Sequence, residues 1–210
     1  MSIQRLKLNI DNAVARWYEQ LFIDLPQNDF IIICNNSDWL RWFGTNLTQY
    51  LCTIGGHEVV PMYGKQINNL ESCCYQINLS MPIGYNFRPD YHALYDTLLN
   101  FETEPPKRVI VFNDAQFLLS SNPEVFDNVM ESMVVASYVN REGISTIKED
   151  GTRYKVDQRN IFIFDNANWE RIGESINREF YIPSIDEHTR VDRKLDFNII
   201  EIVDESEQAL

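Results

Sequence analysis

The stretch FIIICNNSDWLRWFGTNLTQYL, from Phe30 to Leu51, has the order of a phosphate-binding strand, turn and helix. Phe30–Cys34 is a short apolar run, as in a strand buried on both faces, and apolar residues at helical spacing follow it from Trp39 onward. A phosphate-binding turn needs glycines, whose N–H groups can face the phosphates, and a lysine for the phosphate oxygens. The turn CNNSDWLR contains neither. The sequence therefore predicts the strand and the helix without the phosphate chemistry.

The other reactive side chains form no recognisable catalytic or metal site. His57, His92 and His188 are scattered, with no cysteine or carboxylate at ligand spacing. The four cysteines, at positions 34, 52, 73 and 74, fit neither paired zinc ligands nor a disulfide framework, so we interpret them as reduced core thiols. We predict no catalytic residue and no metal site.

The composition indicates one acidic globular domain. The chain has 210 residues, 44% of them hydrophobic, which suffices for one substantial core. The net charge of −13 would repel a phosphate backbone, so a nucleic-acid partner is not expected. The sequence contains no apolar run of the roughly 18 residues that span a membrane and no signal-peptide pattern, and we expect a cytoplasmic protein.

Hydrophobic periodicity predicts strands that alternate with helices. Strands are predicted at 30–34, 58–62, 75–79, 109–112, 160–166 and 197–203, and helices at 12–22, 39–51, 90–101 and from 123 onward. This order is typical of a three-layer α/β domain with a mostly parallel sheet, in which the strands at 30–34, 109–112 and 160–165 should be adjacent. The predicted division is a helical segment at 1–29, the α/β domain at 30–203 and an acidic tail at 204–210.

Four collinear segments resemble the AAA+ module of the Clp unfoldase group, which includes the torsins. They are FIIICNNSDWLR over the Walker A strand and loop GxxGxGK[ST], MPIGYNFRPD over the pore-loop stretch, RVIVFNDAQF over the Walker B strand, and DGTRYKVDQRNIFIFDNAN over the hairpin and sensor strand. The match spans roughly residues 30–203 and implies a P-loop-NTPase-like large subdomain. The helical lid of the family is expected to be missing, because the chain stops at Leu210.

The resemblance assigns family positions to particular residues, most of which lack the family's chemistry. Leu40 replaces the lysine, Arg41 the magnesium-binding hydroxyl, Asn113 and Asp114 the Walker B Asp and Glu, and Asn168 is the sensor asparagine; Tyr85 and Phe87 lie in the pore loop, and Arg190 and Arg193 lie where an arginine finger is placed. Leu40 is uncharged, Trp39 would fill the space of the phosphate, and Asn113 removes the anionic anchor for magnesium. We interpret the nucleotide-site residues as degenerate remnants.

Three of these assignments have a structural alternative. Arg41 either meets a phosphate through its permanent charge or is a surface arginine. Tyr85 and Phe87 either grip a peptide or pack. Arg190 and Arg193 either complete a neighbour's active site in trans or form a solvated basic patch.

The resemblance implies a catalytically inactive AAA+-like protein, a pseudo-ATPase that acts as a structural or regulatory interaction subunit. Its expected partner is an active AAA+ subunit, another copy of itself or a larger assembly. If the protein is viral, its expected location is the host cytoplasm or the virion. No cofactor is expected. The alternative is a nucleotide-binding or weakly active ATPase with a non-standard phosphate loop, and only then are ATP and magnesium ligands.

Overall fold

The computed structural model describes residues 5–9, 12–81, 89–100, 107–144, 151, 154–183 and 190–203. The strands are β1 Arg5–Asn9, β2 Asp29–Cys34, β3 Glu58–Tyr63, β4 Lys107–Asn113, β5 Asp157–Asp165, β6 Phe180–Pro183, β7 Arg190–Arg193 and β8 Phe197–Val203. The α-helices are α1 Val14–Tyr18, α2 Ser37–Ile54, α3 Leu70–Ser80, α4 Tyr91–Leu99, α5 Gln116–Ser121, α6 Pro123–Glu142 and α7 Trp169–Asn177. A π-helical turn, Glu19–Ile23, extends α1, and 3-10 turns occupy Gly64–Gln66 and Asn166–Asn168.

Six strands form one parallel sheet in the order β1-β8-β2-β5-β4-β3, and β6 pairs with β7 in an antiparallel hairpin. The strands predicted at 30–34, 160–165 and 109–112 are the neighbours β2, β5 and β4. In β2, Ile32 lies opposite Ile163 on one side and Ile200 on the other. The predicted parallel arrangement is confirmed.

Helices cover both faces of the sheet. Phe30 and Ile32 of β2 lie in one core cluster with residues of α1 and α2. Ile31 and Ile33 lie in the other cluster, with residues of α3 to α7 and of β6. Because both faces are covered, successive residues of the central strands are apolar and buried, as in Phe30–Cys34 of β2. This is the three-layer α/β architecture of P-loop NTPases that the sequence predicts.

The segment 75–79, predicted as a strand, lies in α3, so that prediction is wrong. Asn69 caps the helix by accepting the Ser72 N–H at 2.8 Å, while Ser72 Oγ accepts the Asn69 N–H at 3.2 Å. Cys73 and Ile77, four residues apart, are then fully buried on one side of the helix. The short sequence YQINL fits both periodicities, and the capping box selects the helix.

α3 also covers the end of β3, the last strand of the sheet. The Gln76 side-chain amide accepts the Tyr63 N–H at 2.8 Å and donates to the Tyr63 carbonyl at 3.2 Å. One side chain thus makes both hydrogen bonds that a neighbouring strand would make at this residue.

β1 lies in the segment 1–29, for which only helix was predicted. It pairs in parallel with β8, with Leu8 opposite Ile202. The predicted helix is present as α1 and the π-helical turn, and the Trp17 indole donates to the Asn9 carbonyl at 3.1 Å. Part of this segment therefore belongs to the sheet, because β8, almost two hundred residues later, supplies its hydrogen bonds.

Three of the four free thiols are buried as predicted, and the fourth is not. Cys34, Cys73 and Cys74 are buried, whereas Cys52 is exposed on α2. Cys52 follows Leu51, a core residue of the helix, and so falls on its outer side.

A buried carboxyl group, that of Asp29, connects three elements at the amino ends of the strands. Its Oδ1 accepts the backbone N–H of Asn160 at 2.7 Å and the Asn160 side-chain N–H at 3.0 Å, and Arg141 Nη1 lies 3.4 Å away. Its Oδ2 lies 2.6 Å from Ser137 Oγ, which also lies 2.9 Å from the Val134 carbonyl. A hydroxyl has one hydrogen. A protonated Asp29 would donate to Ser137, and Ser137 could then donate to Val134.

The pKa of the Asp29 carboxyl is raised by burial, and Arg141, Ser137 and Asn160 oppose this shift only in part. A raised pKa means that the folded protein binds this proton more tightly than the unfolded chain, whose Asp pKa is about 3.9. Stability from this group is therefore fully present below about pH 4 and is lost as the pH rises through the raised pKa.

Replacement of Asp29 by Asn should remove this titration, because the amide resembles the neutral acid in shape. The free energy of unfolding of Asp29→Asn, minus that of the wild type, should increase from about pH 4 upward. Urea unfolding across pH 4 to 8 measures the difference.

The matched control is Asp29→Ala, which leaves the Asn160 donors and Arg141 without this acceptor. It should cost about 3 kcal/mol near pH 4, and the cost should fall as the pH rises, because the wild type then loses the stability that its protonated carboxyl provides. A difference between Asn and wild type that falls as the pH rises would show instead that an ionised Asp29 stabilises the fold.

Candidate functional site

The carboxyl ends of β2, β4 and β5 meet at one edge of the sheet, which we call the carboxyl edge. α2 follows β2 on one face and α7 follows β5 on the other, and open α/β sheets bind ligands outside the carboxyl ends of such strands. The predicted remnants all belong to segments that meet here: Leu40 and Arg41 after β2, Asn113 and Asp114 at the end of β4, and Asn168 after β5. Their side chains, however, serve different purposes.

The turn between β2 and α2 has only two residues, Asn35 and Asn36. In the family pattern, the six positions before the lysine wrap the phosphate, whereas here Cys34 is still in β2 and Ser37 already begins α2. Asn36 Oδ1 accepts the N–H groups of Asp38 at 3.0 Å and Trp39 at 3.3 Å. The side chain of Asn36 thus satisfies the amides at the helix N-terminus, where an anion would otherwise bind.

Leu40 and Trp39 both serve the core on the α2 face. Leu40, at the lysine position, is 2% exposed and lies in the cluster with Phe43 and Leu47. Trp39 is half-buried and packs against the same cluster. Trp39 was predicted to fill the phosphate space, and the structure places it in this packing role.

Arg41 forms an ion pair within its own helix. Its Nη2 lies 2.5 Å from Asp38 Oδ1, and the two side chains are 51% and 85% exposed. Such a pair in water is worth less than about 1 kcal/mol, so it holds Arg41 only weakly. It does place a carboxylate in the first turn of α2, the position that favours an anion.

The end of β2 has an acidic environment. The Asn36 N–H donates to Cys34 Sγ at 3.4 Å. Burial raises the pKa of the Cys34 thiol, the N–H groups of Asn35 and Asn36 lower it, and the Asp165 and Glu201 carboxylates raise it further. A phosphate at this point would meet the same two negative charges.

Asn113, at the Walker B aspartate position, packs against α2. Its side chain is 7% exposed, and Oδ1 finds no hydrogen-bond donor among the residues that the structure describes. A Cβ added to Gly44 of α2 would lie 1.8 Å from this oxygen. The glycine therefore permits the close approach of β4 and α2.

Asp114 has a left-handed backbone, with φ of 53°, and its carboxylate faces β3. Its Oδ2 lies 3.6 Å from Lys65 Nζ, just beyond the end of β3, on the opposite side of β4 from β2. A Cβ on Gly64 would lie 2.0 Å from the Asp114 carbonyl oxygen, so this turn also requires a glycine partner. The carboxylate is thus directed away from the β2–α2 turn.

Asn168 ends the 3-10 turn after β5 and precedes α7, and its side chain makes no cap hydrogen bond to that helix. Asp165 instead fixes the turn by accepting the Ala167 N–H at 2.9 Å. The sensor position is therefore at the carboxyl edge, as the resemblance implies.

Arg190 and Arg193 lie elsewhere, on β7 of the hairpin, which covers the face of the sheet opposite α2. The Arg190 guanidinium is 5.5 Å from the centroid of the Tyr181 ring. Arg193 is 5.6 Å from that of Tyr138 on α6 and also donates to the Tyr138 hydroxyl. Each of the two arginines thus lies over a tyrosine ring, and both are exposed. Residues 85 and 87 and the tail at 204–210 fall outside the described ranges.

Sequence reasoning missed Asn36 and Gly44. Asn36 stands directly before the helix with an acid two residues later, which is a recognised N-cap signal. Gly44, inside an apolar helical stripe, indicates a close packing contact of the helix, although its partner Asn113 cannot be found from the pattern.

Within the described part of the chain, no cluster of three or more His, Cys, Asp or Glu side chains could hold a metal ion. Among the same residues, no helix combines the length and apolarity needed to cross a membrane.

No protein-family model matches the chain, and no curated protein matches it. Among solved structures, it is similar to the ORC2 protein of Aeropyrum pernix in its ADPNP–ADP complexes, with a TM-score of 0.51, and in its ADP form, with 0.50. The identities are 14% and 13%, and each alignment covers 90% of this chain and 46% of the other. The structure of Drosophila ORC bound to DNA gives a TM-score of 0.48 at 12% identity, and its alignment covers 75% of this chain and 39% of the other.

The likeness to the ORC2 protein supports the three-layer α/β fold of this chain. The chain spans less than half the length of the ORC2 chain that it matches. At 14% identity the likeness concerns the fold alone, and the grouping with Clp and the torsins stays a prediction.

Replacement of Gly44 by Ala should destabilise the fold by about 1–2 kcal/mol. The new methyl group would meet Asn113 Oδ1 and lie 3.1 Å from Ile163 Cδ1, and this overpacking should exceed the helix-propensity gain of roughly 1 kcal/mol. Denaturant unfolding measures the loss. The double variant Gly44→Ala/Asn113→Ala should recover most of it.

Gly173→Ala in α7 is the matched control, because its Cβ would meet only Asn177 Nδ2 at 3.8 Å. It should be neutral or slightly stabilising. If Gly44→Ala behaves like this control, or if the Asn113 change gives no recovery, the close contact is not the reason for the glycine.

Proposed function

We propose that this chain is a non-hydrolysing AAA+-like module that acts as a structural or regulatory interaction subunit. The observation that carries the proposal is the two-residue turn between β2 and α2, in which Asn36 caps the helix. Such a turn has no run of backbone N–H groups that can surround a phosphate chain.

The remaining parts of a hydrolytic site support the same proposal. Leu40 brings a buried aliphatic group where a cation would contact the phosphates. Asn113 is neutral and is packed against Gly44, so it offers magnesium no anionic ligand. Asp114, which would have to orient the attacking water, is directed toward Lys65 instead.

The partner we propose is a protein, and the surface we propose for it is the β6–β7 hairpin. Arg190 and Arg193 stack on tyrosines there, and Tyr181 and Val191 are 50% and 46% exposed. Arginine and tyrosine are enriched in protein interfaces. A net charge of −13 disfavours nucleic acid as the partner. An arginine finger supplied to an active AAA+ neighbour is the form of contact that the Clp resemblance implies.

ATP with magnesium should leave the melting temperature unchanged at millimolar concentration. Ligand at a hundred times its dissociation constant would stabilise a fold by about 2.7 kcal/mol, or roughly 2–4 °C for a domain of this size. Scanning calorimetry with ATP, ADP and magnesium alone measures the shift.

Arg41→Ala distinguishes the alternative, in which this arginine binds the nucleotide. A saturable shift in the wild type that disappears in Arg41→Ala would overturn the proposal and favour a nucleotide-sensing protein. Lys65→Ala, which changes the same charge at the β3 end of the edge, controls for general electrostatic effects.

Replacement of both Arg190 and Arg193 by Ala should weaken the complex at least tenfold, because arginines are frequent energetic centres of interfaces. The partner is captured with the tagged chain from its native source, purified, and titrated against wild type and variant. The control is Arg16→Ala/Arg171→Ala, an equal loss of charge at exposed residues of α1 and α7. Equal weakening by both pairs, or by neither, would rule out the hairpin arginines as the contact.

A further inference from the structure

A cavity of about 190 Å³ lies between α4, α6 and the β6–β7 hairpin. We call it the tyrosine pocket, since the rings of Tyr91, Tyr95 and Tyr181 line it together with the Arg190 guanidinium, Asn128 and Ser132. A cavity of this size holds a single side chain, whereas drug-sized ligands need roughly 300 Å³ or more. The tyrosine pocket is therefore too small for a nucleotide.

Arg190 is the positive group of the tyrosine pocket. It stacks on Tyr181, and among the described residues no carboxylate lies within ion-pair distance of it. Burial raises the pKa of the Tyr95 hydroxyl, the charge of Arg190 lowers it, and the charge of Asp96 raises it, so the Arg190 charge acts inside the cavity.

The negative group of the tyrosine pocket, Glu131, is already paired. Its Oε2 lies 3.4 Å from Arg178 Nη2, and this partly exposed ion pair offsets part of its charge. His92 also lines the cavity. Among the described residues, the wall of the cavity thus carries one cation without an ion-pair partner, together with several hydroxyl and amide groups and aromatic rings, and these fit a carboxylate on a short carbon chain.

We propose that the tyrosine pocket binds a carboxylate of a partner polypeptide, which Arg190 holds while the tyrosine rings enclose its carbon chain. The inference rests on the proposed interaction function and names the chemistry of the partner. The exposed Tyr181 and Val191 then provide apolar contacts around the bound group. Arg193, which bonds to Tyr138 and lines no part of the cavity, has no role in holding the carboxylate.

Three small probes separate the two sources of such a carboxylate. N-acetyl-glutamate α-amide has only the side-chain carboxylate, N-acetyl-glutamine has only the terminal one, and N-acetyl-glutamine amide has neither. Each is titrated to tens of millimolar into the full chain, labelled with ¹³C on its tyrosine rings, at pH 7. We expect saturable shifts of the Tyr95 and Tyr181 signals with at least one acid and none with the neutral amide.

Arg190→Gln should weaken that binding by about tenfold or more, because a charge-assisted contact is lost. Arg171→Gln, at an exposed residue of α7 that does not line the cavity, should bind as the wild type does. Ring signals of the distant Tyr18 and Tyr50 report whether either variant has lost its fold.

The inference is overturned if neither acid shifts the rings, if the neutral amide binds equally well, or if Arg171→Gln weakens binding as much as Arg190→Gln. These outcomes are separate from the nucleotide test. If no acid binds and ATP gives no shift of the melting temperature, the carboxylate inference is wrong and the proposed function stands. If an acid binds and ATP does shift the melting temperature, the carboxylate inference stands and the proposed function is wrong.

Discussion

The buried carboxyl group of Asp29 is the contact on which the arrangement of layers most depends. It lies at the start of β2 and reaches β5 through Asn160 and α6 through Ser137 and Arg141. A polar group so deeply buried is tolerated only when its partners are all in place, so it fixes where α6 lies on the sheet. The hairpin in turn packs on α6, where Arg193 meets Tyr138. The proposed interaction surface is thus positioned from the interior of the domain.

The carboxyl edge is where open α/β sheets bind ligands, but the side chains of Leu40 and Asn113 there pack against other residues. Leu40 contributes to the core on the α2 face, and Asn113 fits against Gly44. These contacts hold the helix in place through its buried face, and its own Asn36 caps it. A phosphate is not needed to complete either element.

The continuous apolar runs of β2, β4, β5 and β8 and the stripe of α2 were predictable, because these signals are local and strong. β1 and the hairpin were not predictable, because their pairing depends on distant residues. Part of α3 was predicted as a strand, because the five residues YQINL fit both the helical and the strand period. The absence of glycine and lysine from the turn CNNSDWLR was readable from the sequence. The length of the β2–α2 turn was not, because a gapless comparison assumes the family's loop. The position of Arg190 beside Tyr181 was also not predictable, because it depends on the pairing of β6 with β7.

The amide of Gln76 has a consequence for how copies of this chain can meet. Because it already occupies the Tyr63 N–H and carbonyl, a strand from another molecule cannot extend the sheet at that residue without first displacing it. Growth of the sheet from molecule to molecule, the usual route to fibres, is obstructed at that end of β3. Association through side chains at a fixed surface does not need that edge, and when the same patch is used on both molecules it gives a closed complex of definite size.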